Sequence, residues 1–453
     1  MKIEAAIAKL ASYAHVVVSW IGDDGYPLQT AAMFRADAAA NTVRIAPTGL
    51  PLPTDREVTV TASHIRPQPG SGYDERRYLS LWGRLRVDGD GLALTPSRAW
   101  GWDEAETPFF EYAERSNRQG LRYLGDLSRE RGVPVKPRLS GIWTFFLATR
   151  LPFLTATIIP VLLGIAVAGR AGYWNPWLAV LTLIGACAIH IGLNVANDFF
   201  DTLSGADDAN VNPTQYSGGS RVVQHGLVTI RQMGALSLAA YLAGIGIGVY
   251  LVFVRGSIEL FAIGVAGVLL SVFYTAPPLR LVHRGLGEVT TALGFGPIMV
   301  LGAYVVQADR LAWEPALASI PVAILIALVL YVNEIPDRVA DATVGKRTLP
   351  ARLSRDVITT GFLVAALTAF ATIAVLAVPG VIPRPTVLAL LALPLVFHIY
   401  RGIRSEYNSP YTLMATMGKN VQLHMVVGVL LFAGYIVAII AGAAFDSPPG
   451  MLT

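Results

Sequence analysis

The chain has 453 residues, more than one ordinary domain of ~100–200 residues would need, and a formal net charge of +4. Residues 1–140 contain 18 Lys and Arg and 17 Asp and Glu, whereas the remaining residues, more than twice as many, contain only 17 and 14. Apolar stretches that are long enough to cross a bilayer recur through this second part. They exclude a soluble enzyme, a secreted disulfide scaffold and a disordered protein. The excess of Lys and Arg fits the cytoplasmic loops of a membrane protein, so we expect no nucleic-acid partner.

The first part begins with two strand-like runs, 15–21 and 28–34, on either side of Asp23-Asp24-Gly25-Tyr26-Pro27. This Asp-Gly segment is a strong turn signal, so the two runs are predicted to form a hairpin. Further strands are predicted over 42–47, 57–63, 77–88 and 92–95. Helical spacing follows over 107–130, with Phe109, Phe110, Tyr112 and Tyr123 as candidate apolar anchors. The order of elements predicts a small, mostly antiparallel barrel with a helix against it.

The hairpin VVSWIGDDGYP, the strand RRYLSLWGRLRV and the trailing helix resemble the split-barrel domains of the pyridoxamine 5′-phosphate oxidase-like, flavin-binding superfamily. The resemblance covers about residues 5–130 and implies that FMN could bind this domain. Flavin-binding members hold the FMN phosphate with basic residues, and Arg76 and Arg77 are the candidates for that role here. The alternative is that both arginines are the solvated end of a strand.

The second part contains nine apolar segments, which predict an all-α membrane bundle of about nine transmembrane helices. They are 150–169, 176–197, 233–254, 257–276, 286–307, 314–333, 358–379, 385–400 and 422–445. The eighth is short and contains Pro394. We therefore expect three regions, namely a split-barrel-like domain over 1–133, a basic, Pro-containing linker over 134–149 and a transmembrane domain over 150–446.

The distribution of basic residues predicts how these helices are oriented. With the N-terminus inside the cell, thirteen basic residues lie on the cytoplasmic side: Arg150, Arg221, Arg231, Arg280, Arg284, Arg338, Lys346, Arg347, Arg352, Arg355, Arg401, Arg404 and Lys419. Four lie on the opposite side: Arg170, Arg255, Arg310 and Arg384. Under the positive-inside rule this bias places the N-terminal domain in the cytoplasm and the C-terminus outside it. A plasma-membrane or inner-membrane protein is expected.

Two clusters of Asn and Asp stand at the cytoplasmic ends of predicted helices. The second segment ends in Asn194, Asn197, Asp198 and Asp201, which are three and four residues apart and share a helix face. Asp207 and Asp208 follow. The sixth segment ends in Asn333, Asp337 and Asp341, spaced by four. Carboxylates in membrane spans are costly and by default mark a functional site. Two matching clusters on one side argue against solvated helix ends as the alternative.

Paired carboxylate clusters suit a hard, oxygen-seeking cation, and Mg²⁺ typically shares its ligands with substrate phosphates. Basic residues flank both clusters. Arg221 follows the Gly-containing segment 217–220, whose backbone amides could approach an anion, and Lys346 and Arg347 follow Gly345. A diphosphate held by Mg²⁺ and these cations would be a good leaving group, so electrostatic stabilisation of its departure is the expected chemistry.

Four ordered motifs resemble those of the UbiA superfamily of intramembrane aromatic prenyltransferases. They are NDFFDTLSGADD (197–208), SGGSRVVQHGL (217–227), YTAPPLRLVHRGLGE (274–288) and NEIPDRVADATVGKRTLPARL (333–353). The resemblance spans about residues 140–445 and implies a nine-helix bundle whose cavity opens toward lipid, with two Mg²⁺ ions on the cytoplasmic side. The departure at Gly205, where many members have Asp, resembles the 1,4-dihydroxy-2-naphthoate prenyltransferases of menaquinone synthesis.

The resemblance also implies roles for individual residues. One Mg²⁺ would be held by Asn197, Asp201 and Asp207, with Asp198 assisting. The other would be held by Asp337 and Asp341, with Asn333 in support. Substrate contacts are implied for Asn194, Arg221, Lys346 and Arg347. Tyr274 would stabilise the allylic cation and Arg280 would meet an anionic acceptor, although each could instead be an interfacial anchor.

The expected function is therefore transfer of an isoprenoid chain from a polyprenyl diphosphate to an aromatic acceptor, with 1,4-dihydroxy-2-naphthoate as the leading candidate. The same chemistry on 4-hydroxybenzoate, a chlorin or a glycerol phosphate ether lipid stays open. A transporter is a further alternative, but transporter sites lie near the bilayer midplane and these acids lie at helix ends. A binding protein that has lost catalysis would not need both the acidic and the basic sets.

Overall fold

The computed structural model describes residues 1–67, 73–89, 91–210 and 212–442. The chain divides into two compact units between Ser116 and Asn117. The first unit is a curled β-sheet and the second is a bundle of helices. The functional boundaries predicted at residues 133 and 149 stay predictions.

The first unit contains one helix and seven strands. They are α1 (Ile3–Leu10), β1 (Val16–Ile21), β2 (Pro27–Ala32), β3 (Phe34–Asp37), β4 (Thr42–Ile45), β5 (Glu57–Pro67), β6 (Tyr73–Asp88) and β7 (Gly91–Asp103). All neighbouring strands pair antiparallel, in the order β2-β1-β5-β6-β7-β4-β3. Only Met33 separates β2 from β3, yet these strands lie at opposite ends of that order. The sheet must therefore curl round so that its two edges approach each other at Met33.

The barrel interior follows from alternation along the strands, since successive side chains point to opposite faces. Val58, Val60 and Ala62 of β5 are buried, and Ile7 and Leu10 of α1 pack into the same core. The predicted hairpin and the mostly antiparallel, curled sheet are confirmed, whereas the split-barrel assignment stays a prediction. Three details differ: α1 was not predicted, the run 28–34 is divided at Met33, and β7 continues to Asp103 because it pairs with the full length of β6.

The outer face of β6 and β7 contains an aromatic cluster near their paired ends. Helix α2 (Phe109–Arg131) contributes Tyr112, which stacks on Trp102 at 4.7 Å between ring centroids and exchanges a hydrogen bond of 2.8 Å with the Tyr78 hydroxyl. Phe109 packs under the Arg76 guanidinium. Two of the four predicted anchors are therefore confirmed. Tyr123 is 64% exposed, so that prediction is wrong, and the Phe110 side chain lies outside the described residues.

Arg76 and Arg77 do not form a solvated strand end. Arg76 Nε donates to a Glu104 carboxylate oxygen at 3.0 Å, and this ion pair raises the pKa of Arg76. Arg77 lies 5.5 Å from the centre of the Tyr13 ring, and its Nε is buried without a hydrogen-bond partner. Because the charge of Arg76 is already neutralised, it is the weaker candidate for a phosphate ligand. FMN binding to this unit stays a prediction.

In the described part of the chain, nine helices are long and apolar enough to cross a membrane, as predicted. They are α4 (Leu151–Arg170), α5 (Pro176–Ser204), α6 (Ile230–Arg255), α7 (Ile258–Thr275), α8 (Gly287–Ala308), α9 (Trp313–Thr343), α10 (Arg355–Ala377), α11 (Arg384–Glu406) and α12 (Pro410–Ile440). A short helix, α3 (Gly141–Thr149), precedes them within the predicted linker. The protein is a multi-pass integral membrane protein.

The predicted bounds were inaccurate for two helices, α11 and α12. In α11, the residues before Pro394 form a 3₁₀-helix, and Pro394 occupies the first turn of the α-helical part, where a missing N–H does no harm. Helix α12 begins at Pro410 instead of 422, so Lys419 lies inside it. Its polar first half is accommodated because Asn420 Nδ2 donates to the Leu328 carbonyl at 2.8 Å.

Candidate active site

A polar cavity of about 180 Å³ lies where α5 and α9 end. The second and sixth spans cross in the same direction, so their final turns meet at the same face of the bundle. Nine of the predicted site residues line this cavity: Asn194, Asn197, Asp201, Asp207, Tyr274, Asn333, Asp337, Asp341 and Lys346. The structure thus brings together two motifs that are more than a hundred residues apart in sequence.

Lys346 connects the two acidic clusters. Its Nζ lies 3.6 Å from a carboxylate oxygen of Asp201 on α5 and 3.6 Å from one of Asp341 on α9. Burial opposes a charge on Lys346, but Asp201, Asp341 and Glu334 outweigh this effect and raise its pKa well above the usual value. Lys346 therefore remains a cation between the two faces.

Asp337 holds the loop that follows the first cluster. One of its carboxylate oxygens accepts a hydrogen bond from Asn210 Nδ2 at 2.8 Å, and the other accepts one from the Gly218 backbone amide at 2.9 Å. The loop 217–221 is thereby fixed against α9. Gly218 and Gly219 both have φ above +70°, which a glycine tolerates and most other residues do not.

Asp198 acts on the same loop from behind the cavity. It is 2% exposed, and its carboxylate accepts hydrogen bonds from Arg150 Nη2 at 2.8 Å and from the Ser220 backbone amide at 2.9 Å. Asp198 is not among the cavity-lining residues. These contacts hold the loop in place, and the assisting metal role predicted for Asp198 stays a prediction.

Asp207 lies on a short helix, Ala206–Ala209, and closes the first cluster. A Cβ on Gly219 would lie 2.9 Å from Asp207 Oδ1 and 3.3 Å from Asp198 Oδ1. Burial, reinforced by the charges of Asp198 and Asp201, raises the pKa of Asp207 to about 8. A divalent cation would relieve this electrostatic cost, because it favours the ionised carboxylate.

The donor atoms at the site suit Mg²⁺. All are carboxylate or amide oxygens, which hard cations prefer. Asp201 Oδ1 and Asn333 Oδ1 are buried and have no hydrogen-bond partner. Within the described ranges, no three His, Cys, Asp or Glu side chains are already arranged to hold a metal ion. Lys346 stands between two of the carboxylates instead, which shows that this position accepts positive charge.

Three predicted site residues lie away from the cavity. Arg221 is 6% exposed, does not line the cavity and donates through Nη1 to the Asp207 backbone carbonyl. Arg280 is exposed after α7, and Arg347 is exposed after α9, where its backbone amide bonds the His283 carbonyl. Their predicted contacts with substrate stay predictions.

The sequence interpretation missed four polar residues that line the cavity. Arg150 was counted only among the basic residues that predict topology. Its position at the start of an apolar span could have indicated a functional role. Glu334 lies in the second motif, and its Oε2 is buried without a partner. Asn210 and Tyr216 carried no signal by spacing, because the turns between 205 and 217 place them.

A second, apolar cavity of about 430 Å³ lies among α5, α6, α7 and α8. Five residues line both cavities, so the two are adjacent: His190, Leu193, Tyr274, Thr291 and Phe295. At this junction Thr157 Oγ1 and His190 Nδ1 share a hydrogen bond of 2.7 Å, and the His190 ring packs edge-on against Phe295. The site can therefore accommodate a molecule with a strongly anionic head and a long apolar tail.

The chain aligns with most of the length of two curated relatives. A 2-carboxy-1,4-naphthoquinone phytyltransferase from Synechocystis sp. is 27% identical over 66% of this chain and 94% of its own. A 1,4-dihydroxy-2-naphthoate octaprenyltransferase from Bacillus subtilis is 27% identical over 64% of this chain and 91% of its own.

Among solved structures, a UbiA homologue from Archaeoglobus fulgidus bound to DMAPP and Mg²⁺ is similar to this chain. It is 12% identical, the alignment covers 64% of this chain and 99% of that one, and the TM-score is 0.47. The sequence profile of the UbiA prenyltransferase family matches residues 157–420, a region that contains both Asn/Asp clusters. The chain belongs to the UbiA prenyltransferase family, whose members are membrane prenyltransferases.

Proposed function

We propose that this enzyme transfers an isoprenoid chain from an allylic diphosphate to 1,4-dihydroxy-2-naphthoate. The observation that carries the proposal is the adjacency of the two cavities: a small polar cavity with two acidic faces shares five lining residues with a larger apolar one. An isoprenoid diphosphate has the same division into a charged head and an apolar tail.

The chain's own residues would bind and orient the diphosphate. Lys346 supplies a permanent positive charge between Asp201 and Asp341. The Gly219 backbone can approach a phosphate closely because it has no side chain, and Asp337 and Asp198 hold the loop around it in place. Electrostatic stabilisation of the departing group is typically the largest contribution to catalysis of this kind.

Asn197, Asp201 and Asp207 would hold one Mg²⁺, and Asp337 and Asp341 the other, with Asn333 in support. When bound, Mg²⁺ would neutralise charge on the leaving diphosphate and so assist its departure. The carboxylates are well placed for this role, because they lie in or just after the last turns of α5 and α9, where the helix dipoles also favour a cation.

The reaction begins when the bond between the allylic carbon and the diphosphate oxygen breaks, with its electron pair remaining on oxygen. The acceptor ring then forms a carbon–carbon bond to the allylic cation. It regains aromaticity when the attacked carbon loses its carboxylate as CO₂ or, if it carries none, its proton, and the electron pair of the broken bond returns to the ring. Tyr274 is positioned at the junction of the cavities, where the cation would form. A phenol ring at that point stabilises a carbocation through its π face.

The names of the two curated relatives support a naphthalene-type acceptor, since both act on naphthoate or naphthoquinone substrates. 4-Hydroxybenzoate, chlorins and glycerol phosphate ether lipids are the competing acceptors. We further propose that the active site faces the cytoplasm and that the C-terminus does not, on the basis of the thirteen basic residues on one side and four on the other.

The test is an assay of the purified full-length protein with Mg²⁺, an allylic diphosphate and each acceptor in turn. We expect prenylated product from 1,4-dihydroxy-2-naphthoate, none after addition of EDTA, and recovery when Mg²⁺ is restored. Product from 4-hydroxybenzoate alone would contradict the acceptor and leave the chemistry intact. Failure with every acceptor and donor would contradict the proposed function.

A further inference from the structure

The wall of the apolar cavity contains several glycines. They differ in whether a side chain added at the position would contact other atoms or would occupy open space. A Cβ on Gly185 would lie 2.9 Å from Ile247, and one on Gly244 would lie 2.7 Å from Ile189. These two glycines therefore allow α5 and α6 to pack closely. Gly248 on α6 and Gly264 on α7 differ, because a Cβ at either position would have no heavy atom within 4 Å. Both line the cavity, Gly248 half-buried and Gly264 exposed, so a side chain at either position would project into open space at the cavity wall.

Gly248 and Gly264 lie at the same depth in the bundle. The hydroxyls of Tyr241 on α6 and Ser271 on α7 share a hydrogen bond of 2.8 Å, which fixes the register of the two helices. The helices run in opposite directions. Gly248 is seven residues beyond Tyr241, and Gly264 is seven residues before Ser271, so both are displaced by ~10 Å along the helix axes in the same direction. They flank one level of the cavity from two sides.

We propose that Gly248 and Gly264 determine how long an isoprenoid chain the cavity accepts, by leaving open a passage that side chains at these positions would close. This inference rests on the proposed function, since it assigns the apolar cavity to the donor's isoprenoid chain. The cavity continues past the two glycines to Leu251 and Leu260, so there is space beyond the passage for the chain to enter.

The distance from the reacting end indicates which donors need this passage. Tyr274, at the junction of the cavities, and Gly264 are ten residues apart on α7, which corresponds to ~15 Å. An extended isoprene unit has four carbon–carbon bonds and spans roughly 5 Å. A geranyl chain of two units therefore ends before the passage, whereas a geranylgeranyl chain of four units extends through it.

The experiment compares Gly248→Leu and Gly264→Leu with a matched control, Gly246→Leu. Gly246 is on the same helix as Gly248, is exposed as Gly264 is, and has no heavy atom within 4 Å of an added Cβ; it differs from both because it does not line the cavity. The measured quantity is kcat/KM for geranylgeranyl diphosphate divided by kcat/KM for geranyl diphosphate. A change of a single methylene in an apolar pocket typically alters such ratios ~10–200-fold, and Gly→Leu is a larger change. We expect a decrease of at least ~10-fold in both cavity variants and an unchanged ratio in Gly246→Leu.

An unchanged ratio in both cavity variants, with the wild-type protein active on both donors, would overturn this inference and leave the proposed function standing. Absence of turnover by the wild-type protein with any donor would instead contradict the proposed function. If the wild-type protein shows no turnover, binding can still be measured as the increase in the thermal unfolding midpoint caused by geranyl and geranylgeranyl thiolodiphosphates. The longer analogue should stabilise the wild type and Gly246→Leu but not Gly248→Leu, and equal stabilisation of all three proteins would contradict the role of the passage.

Discussion

The carboxylates at the acidic site differ in whether both of their oxygens have hydrogen-bond partners. Asp198 and Asp337 each accept two hydrogen bonds, including one from a backbone amide of loop 217–221. Asp201 has one carboxylate oxygen near Asn197 and Lys346 and another that is buried without a partner. The unpartnered oxygen is costly in the protein alone, and a bound cation would satisfy it.

Removing one carboxylate from either face should disable the same step. Asp201→Asn and Asp337→Asn keep the side-chain size but lose the charge, so each should lower kcat by ~10²–10³-fold. The double variant should be little worse than either single variant, as expected for residues that act as a unit. Steady-state turnover in detergent measures all three.

The control for these carboxylates is Glu259→Gln, at the opposite end of the bundle. Glu259 is exposed and accepts a hydrogen bond from Ser257 Oγ at 2.9 Å, which a glutamine can also accept. Turnover should stay close to that of the wild type. Near-normal, Mg²⁺-independent activity in Asp201→Asn or Asp337→Asn would contradict the assignment of metal ligands.

The loop glycine Gly219 offers a second test at the residue scale. In Gly219→Ala the new Cβ must displace Asp207, which would be 2.9 Å away, so we expect turnover to fall by an order of magnitude or more. The control is Gly256→Ala, whose φ of +65° gives a similar backbone strain of ~1–2 kcal/mol with no atom within 4 Å of the new Cβ. Equal activity in the two variants would show that Asp207 can move without consequence.

At the scale of helices, three spans are tied together at the end opposite the acidic site. Glu314 of α9 accepts hydrogen bonds from Arg170 Nη1 of α4 at 2.8 Å and from the Tyr435 hydroxyl of α12 at 2.9 Å. The Arg170 and Glu314 side chains are both about nine-tenths buried. Their contacts fix the depth of α9 relative to its neighbours, and α9 carries one of the two acidic faces.

Glu314→Ala should therefore destabilise the bundle, because it leaves the Arg170 guanidinium buried without its partner. Loss of one member of a buried pair typically costs ~3–5 kcal/mol, so the midpoint of thermal unfolding in detergent should fall by several degrees. Glu314→Gln keeps an acceptor for both donors and should lose much less. An unchanged midpoint for Glu314→Ala would show that water or lipid replaces the carboxylate.

At the scale of the whole molecule, nine spans place the two ends of the bundle on opposite sides of the membrane. A reporter near Ser140 should lie in the cytoplasm and one fused after Thr453, beyond the described residues, should lie outside it. Alkaline phosphatase and green fluorescent protein fusions measure this directly. Both reporters on one side would contradict the number of spans and point to α11, which contains Pro394.

The amino-acid sequence alone determined the class of this protein. Long apolar runs and Asn/Asp spacings of three and four residues are properties of short segments, so they can be recognised without knowing how the helices pack. The sequence correctly predicted nine spans and a mostly antiparallel, curled sheet, and nine of its thirteen candidate site residues line the polar cavity. Tertiary structure decided the rest. Asp198 accepts a hydrogen bond from the Ser220 amide, and Lys346 stands between Asp201 and Asp341, because loop conformations set these contacts. The open space beside Gly248 and Gly264 was invisible in the sequence for the same reason: a cavity is defined by how helices pack against one another, and no single segment encodes it.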